Sequence, residues 1–253
     1  MSGPGPRTKV RLDRLLVERG LAPSRERAAA LILAGRVRVG AQPMTKAGTL
    51  VDPAVRVEVT ADLPYVSRGG QKLAGALDAF GLPVEGVVAL DVGASTGGFT
   101  DCLLQRGAKR VYALDVGRGL VHWRLRQDPR VVLFEGRNVR HLEPRELGEP
   151  VDLATIDVSF ISVTKVLPAV AACVRPGGQL VVLVKPQFEV GRSQVGKGGV
   201  VRDPATQRAA VEQVVASARG LGLGVRGEVP APLRGPRGNQ EYFLWLSKGE
   251  ARG

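Results

Sequence analysis

Four ionisable residues stand beside the most apolar runs of the chain. Lys185 follows "LVVLV" (180–184), Asp157 closes "VDLATIDV" (151–158), and Glu241 precedes "YFLWLS" (242–247). Lys72 lies in "YVSRGGQKLAGALDAF", a segment whose Leu73, Leu77 and Phe80 share one helical face. Lysine is among the residues least often buried, so an ammonium group directly after five aliphatic residues needs a use. Pro186 follows it without an N–H to donate, and a β-ladder ends there. Mixed charges at strand ends orient a polar ligand or move a proton. A lysine serves as a base only where desolvation or a neighbouring cation lowers its pKa. Lys72 would act in that direction on Lys185, and carboxylates at 157 and 241 in the opposite one. Base and cationic orienter both stay open for Lys185.

A second constellation is the glycine-rich stretch "LDVGASTGGFTD" (90–101). Gly93, Gly97 and Gly98 sit in a turn before a helix starting near Phe99, where missing side chains let a ligand approach the backbone. The spacing is neither the G-x-G-x-x-G of nicotinamide sites nor a P-loop. "GASTG" also satisfies the nucleophile elbow of α/β-hydrolases, with Ser95 as nucleophile. That chain order requires a histidine after the later strands, and the two histidines are His122 and His141. The hydrolase is excluded. Asp115 ends the next strand, where a carboxylate suits a ribose diol. Aspartate, spaced glycines and a second acidic strand end resemble the S-adenosylmethionine site of Rossmann-like methyltransferases. That resemblance puts Asp91, Gly93, Ser95, Thr96, Gly97, Gly98, Phe99, Asp115, Asn138 and Asp157 on the cofactor side.

The elements that must position these groups are strands at 87–92, 111–116, 131–135, 151–158 and 180–184, separated by helical segments. Continuous aliphatic runs in βα alternation predict a parallel sheet covered on both faces. Ligands bind such sheets beyond the carboxyl ends of the strands. A final strand at 242–247 running antiparallel begins on that same rim and brings Glu241 there.

Residues 8–62 are organised differently. Leu12, Leu15 and Leu16 predict a helix stopped by Gly20; Ser24 caps a second helix carrying Ala28, Leu31 and Ile32, stopped by Gly35. "RVRV" (36–39) and "VRVEV" (55–59) alternate valine with charge, as half-buried strands do. The expected organisation is a flexible arm (1–7), an α+β module (8–62), a linker (63–67), the α/β domain (68–248) and a tail (249–253).

The net charge of +12 in 253 residues points to a polyanionic partner. Arg11, Arg25, Arg27, Arg36, Arg38 and Lys46 concentrate that charge in the small module. Arg68, Arg192 and Lys197 add to it in the larger domain, the last two on "VGRSQVGKGGVVRD", expected to be a mobile basic flap. Cys102 and Cys173 show neither metal nor disulfide spacing and read as core residues of a cytoplasmic protein. No metal site is expected. The first ten residues lack the apolar core of a signal peptide, and no run approaches the length of a membrane span.

The pattern "RLD-LL---GLA-SR--AA-LI--G-V-V" resembles the small RNA-binding domain first seen in small-subunit ribosomal protein four, except that "VGAQP" stands where an Asn-Gly turn is usual. Lys72, Asp157, Lys185 and Glu241 resemble, in order, the catalytic tetrad of the FtsJ-like RNA ribose 2′-O-methyltransferases. "YVSRGGQKL", "LDVGASTGGFTD", "DVSFIS", "VKPQFEVG", "GKGGVVRDP" and "GNQEYFLWL" resemble the TlyA-type branch, whose members are called hemolysins or rRNA methyltransferases. The resemblance implies a ribosomal subunit as partner and methylation of a cytidine in its RNA. The end of the chain soon after "FLWLSKGEARG" leans toward the large subunit. Two alternatives are a membrane-active hemolysin, disfavoured by the lack of an apolar span, and a non-catalytic ribosome-assembly factor, which would not need a complete tetrad.

Overall fold

The computed structural model describes residues 8–33, 36–40, 42–44, 46–59, 64–235 and 237–249, apart from the side chains of Ala30 and Arg192. The arm at 1–7, Gly35 and the tail beyond Gly249 lie outside the described residues. The chain divides into two compact units, Met1–Leu63 and Pro64–Gly253.

The first unit runs β1 (Val10–Arg11), α1 (Leu12–Glu18), α2 (Arg25–Leu33), β2 (Val37–Val39), β3 (Gln42–Met44), β4 (Leu50–Val51) and β5 (Val57–Val59). Leu12, Leu15 and Leu16 of α1 meet Ala28, Leu31 and Ile32 of α2 over Val37 and Val57, a single apolar cluster. Gly20 adopts φ +67° after α1, a left-handed stop. Ser24 Oγ accepts the Arg27 N–H at 3.2 Å, capping α2. The sheet order is β3-β2-β5. The short edge strand β3 went unread in the sequence because Pro43 interrupts it, and an edge tolerates proline.

The second unit contains α3 (Arg68–Phe80), β6 (Val88–Val92), α4 (Gly98–Gln105), β7 (Arg110–Asp115), α5 (Trp123–Arg126), β8 (Val131–Glu135), β9 (Val151–Ile156), α6 (Leu167–Cys173), β10 (Val174–Val184), α7 (Pro186–Glu189), α8 (Pro204–Gly220), β11 (Leu223–Pro230) and β12 (Tyr242–Lys248). One seven-stranded sheet has the order β11-β12-β10-β9-β6-β7-β8. β12 pairs antiparallel with both β10 and β11; the other pairings are parallel. The expected mixed α/β architecture with an antiparallel last strand is therefore observed. β11 is the strand that the sequence reading lacked: Gly224 and Gly227 thin its apolar alternation.

Helices cover both faces. Leu180, Val182 and Val184 pack with α6 and α8, whereas Val181 and Leu183 pack with Leu73 and Leu77 of α3 and Leu103 of α4. Alternate residues of a strand face opposite ways. Lys185 therefore continues the α3 side, after Val181 and Leu183. Glu241 has the parity of Phe243, also in the α3 cluster, and Asp157 that of Leu153. Three strand ends thus deliver their charges to one face of one rim.

Candidate active site

Strand register brings the tetrad together. Val184 is opposite Tyr242, so the residues just past these positions, Lys185 and Glu241, are neighbours across β10 and β12. On the other side Val182 pairs with Ile156, one residue before Asp157. The four charges resolve into two ion pairs. Lys72 Nζ donates to Glu241 Oε2 at 2.5 Å, and Lys185 Nζ lies 2.5 Å from Asp157 Oδ1. Asp157 Oδ1 is enclosed and off the hydrogen-bonding direction. Lys185 Nζ also donates to Ser159 Oγ at 2.9 Å, and it stands 6.0 Å above the Phe188 ring centre. Lys72, Lys185 and Glu241 are buried at 8%, 9% and 1% exposure. Ionised groups at that depth survive only when paired. Lys185 leads straight into α7, with Pro186 in its first turn, and the ladder stops there.

The glycine turn lies beside this group. Gly93 adopts φ +85°, and a Cβ there would strike the carbonyl oxygen of Asp157, so the glycine lets the turn after β6 lie close against the end of β9. Gly98 meets Ser67 in the same way, which explains why "YVSRGG" is glycine-rich: the start of α3 lies directly on the start of α4. Asp115 accepts the N–H groups of Ser95 and Gly117, each at 2.7 Å. Ser95 and Thr96 are exposed on the turn, Ser95 at φ +50°. Gly97 packs on Leu125, and Asn138 Oδ1 accepts the Arg140 N–H at 3.1 Å.

Two of the residues expected beside the cofactor serve the turn from beneath. Asp91 is fully buried, with Thr100 Oγ1 donating at 2.7 Å and Thr155 Oγ1 at 3.0 Å. Burial pushes its carboxyl up to about 6 despite those hydroxyls. Phe99 is 3% exposed and packs on Phe243, centroids 6.1 Å apart. Their side chains brace the turn from inside the fold.

Two family models match the chain: FtsJ-like methyltransferase over residues 65–248 and S4 domain over residues 10–57. The chain belongs to the FtsJ-like methyltransferase family, in its TlyA branch. It is 51% identical over 240 residues to the 16S/23S rRNA (cytidine-2'-O)-methyltransferase TlyA of Mycobacterium tuberculosis, covering 94% of this chain and 90% of that one. It is 32% identical to the 23S rRNA (cytidine-2'-O)-methyltransferase TlyA of Campylobacter jejuni, covering 82% and 80%. A solved structure of a protein named as a hemolysin from Streptococcus thermophilus superposes with TM-score 0.75 at 43% identity, over 96% of this chain and 90% of that one.

In this FtsJ-like protein the expected RNA-side cations occupy varied settings. Arg11 and Arg25 come together on Asp13. Arg11 Nη2 lies 2.8 Å and Arg25 Nη2 3.2 Å from Asp13 Oδ2. The Arg11 guanidinium chiefly holds the Asp13 carboxyl down to about 2. Arg27 lies in the first turn of α2, Arg36 precedes β2, Arg38 projects from β2, and Lys46 is exposed after β3. Arg68 begins α3 and donates to the Arg234 carbonyl at 3.1 Å. The segment expected as a mobile flap is tied down in its second half. Gly196 bridges to Val200, and Asn239 donates to the Gly199 carbonyl while accepting the Val201 N–H. Lys197 projects from this fixed turn; the Arg192 side chain lies outside the described residues.

The sequence reading also passed over Phe160. It adopts φ +65°, is 87% exposed and stands 5.1 Å from the Phe188 ring. Its only signal was an aromatic among the polar residues after Asp157. Beneath that loop, buried Glu189 accepts from Ser162 Oγ at 2.5 Å and from the Val163 N–H at 2.9 Å, and burial raises its carboxyl pKa. Cys102 and Cys173 are buried and free, their thiols pushed up to about 11 by desolvation. Among the described residues no His, Cys, Asp and Glu cluster could hold a metal ion, and no helix is long and apolar enough to cross a membrane.

Proposed function

We propose that this protein transfers a methyl group from S-adenosylmethionine to a ribose 2′-hydroxyl of a cytidine in ribosomal RNA. The observation that carries the reading is the meeting of two ion pairs, the buried Lys72–Glu241 and the partly buried Lys185–Asp157, on the rim that bears the glycine turn. The cofactor fits the donors present. Asp115 keeps acceptor capacity for a ribose diol after taking two backbone N–H groups, and the turn from Gly93 to Gly97 offers close backbone approach. S-adenosylmethionine supplies, when bound, a methyl group activated by its sulfonium charge.

A ribose hydroxyl is a poor acid and a weak nucleophile, so the protein must place it and deal with its proton. An ammonium group has three N–H donors. Ser159 Oγ accepts one N–H of Lys185 Nζ and Asp157 balances its charge, which leaves an N–H to meet the hydroxyl oxygen. Asp157, backed by the β9 strand end, keeps Lys185 from swinging out of line. The Lys72–Glu241 pair walls the site on the α3 side. In-line placement of this kind supplies much of the acceleration by itself. The S4 unit docks the RNA through Arg11, Arg25, Arg27, Arg36, Arg38 and Lys46, while Arg68, Arg192 and Lys197 grip it on the catalytic unit. The reaction takes place on ribosomal subunits in the cytoplasm. Large-subunit RNA is the favoured substrate, with small-subunit RNA as the second: the Mycobacterium relative is named for both and the Campylobacter relative for the 23S rRNA.

Purified large and small subunits, and the RNA stripped from each, are incubated with methyl-labelled cofactor. Label enters a cytidine ribose with the wild-type chain and falls roughly 10³-fold with Lys185→Ala, the scale of a lost proton-handling group. Absence of label from every RNA would end the proposal.

A further inference from the structure

The loop that carries Glu241 to the catalytic rim has a second face. Arg234, Arg237 and Gln240 on that loop, with Val201 and Arg202 before α8 and Gln207 on it, line a pocket of about 450 Å³. We infer that this pocket holds a backbone phosphate of the RNA next to the ribose being methylated, an inference that rests on the reading above.

Three features support it. First, the charge is uncompensated. Arg202, Arg234 and Arg237 are exposed, and among the described residues no carboxylate pairs with any of them. The acidic residues adjoining the pocket residues in sequence, Asp203 and Glu241, are spent elsewhere. Asp203 caps α8 through the Ala205 and Thr206 N–H groups, and Glu241 pairs with Lys72. Arg208, one turn into the same helix, shows the ordinary alternative: it is paired with Glu228 at 2.7 Å.

Second, the walls are built. Asn239, 2% exposed, donates to the Gly199 carbonyl and accepts the Val201 N–H, joining the two loops that bear the arginines. Gln207 donates to the Val201 carbonyl at 2.8 Å and accepts from the Tyr242 hydroxyl at 2.8 Å. Arg237 lies along Gly199, where a Cβ would stand 2.7 Å from its Nη1. The backbone beside Arg202 is thus tied down, and a planar guanidinium matches phosphate oxygens better than an ammonium does.

Third, the position is right. Gln240 lines the pocket and the next residue, Glu241, belongs to the tetrad, so the two sites share one stretch of chain. Arg68 links them again, donating to the Arg234 carbonyl from the turn of α3 that precedes Lys72. In RNA every 2′-hydroxyl has a phosphate on the neighbouring ribose carbon, so a site that grips the hydroxyl receives a phosphate beside it.

The test measures binding of the full chain to ribosomal subunits across a salt series, for wild type and Arg202→Gln/Arg237→Gln. Removing one arginine–phosphate interaction lowers the slope of log affinity against log salt by about 1. The double variant is expected to lose about 1–2 units of slope and roughly tenfold in affinity at low salt, while its affinity for S-adenosylmethionine and its melting temperature stay at wild-type values. Arg202→Lys/Arg237→Lys should restore most of the slope. An unchanged slope and affinity overturn the inference. A parallel titration with inorganic phosphate separates the sources: loss of phosphate binding with RNA affinity intact would make this a free-anion site and reject the RNA assignment. If the double variant does not fold, Arg202→Gln alone is read by the same slope. Should the wild-type chain bind subunits with the expected slope and yet transfer no label, the methyltransferase reading fails and the phosphate site stands.

Discussion

Each unit of the molecule gathers charge around a buried carboxylate, and they do it in opposite ways. In the first unit Asp13 collects Arg11 from the residue before α1 and Arg25 from the start of α2, and the two side chains remain 50% and 58% exposed. In the second unit Glu241 meets Lys72 across 169 positions of sequence, and both side chains are enclosed, at 1% and 10% exposure. A pair made from near neighbours costs little ordering and leaves its cations facing solvent, available to a phosphate backbone. A buried pair assembled by a seven-stranded sheet carries a desolvation penalty that its own attraction hardly offsets. The fold sustains such a pair because α3 holds Lys72 against the strand end that carries Glu241.

Four measurements would break or sharpen this contrast. The largest effect belongs to Lys185→Arg, which keeps a cation but changes its shape and cannot release its proton near neutral pH. Methyl incorporation into subunit RNA should fall at least about 100-fold. Near-wild-type incorporation would make Lys185 purely an orienter. Next, Glu241→Ala strands the buried Lys72 ammonium and should cost the second unit about 3–5 kcal/mol in denaturant unfolding. Arg11→Ala, at a half-exposed pair, should cost the first unit less than about 1 kcal/mol. Equal losses would erase the distinction.

The third is a pH contrast between Asp91 and Asp13. Burial raises Asp91 to about 6, so the folded state holds its proton longer than the unfolded chain does. Stability from this group is complete below about pH 4 and declines as pH rises through 6. Asp13 is held at about 2, so its contribution is complete above about pH 4 and is lost as pH falls toward 2. Melting curves of each unit against pH should therefore slope in opposite senses, and Asp91→Asn and Asp13→Asn should each flatten its own. The fourth is the local effect of Ser24→Ala. It removes the cap of α2 and should lower the stability of the first unit by about 1 kcal/mol, read by its melting temperature.

Much of the site was legible because strand ends are local features. Asp157, Lys185 and Glu241 each sit at the edge of an aliphatic run, and Gly93 and Gly97 each sit where the backbone turns with positive φ. A pattern of period two or 3.6 is written in neighbouring residues and can be read from them. The leucines of α1, the cap of α2 and the antiparallel β12 follow from such patterns together with the resemblance of the motifs.

What the chain alone left undecided depends on register and depth. The alternation along β10 shows that Lys185 follows Val181 and Leu183, but only their packing against Leu73 and Leu77 shows that this is the α3 face. Only the pairing of Val184 with Tyr242 makes Lys185 and Glu241 neighbours, and only the folded chain sorts four charges into Lys72–Glu241 and Lys185–Asp157. The depth of Asp91 and Phe99 within their motif was likewise not legible, because burial is a property of what packs above a residue and not of its neighbours in sequence. Amino-acid order determined which groups reach the rim of this protein; long-range packing decided which of them face one another there.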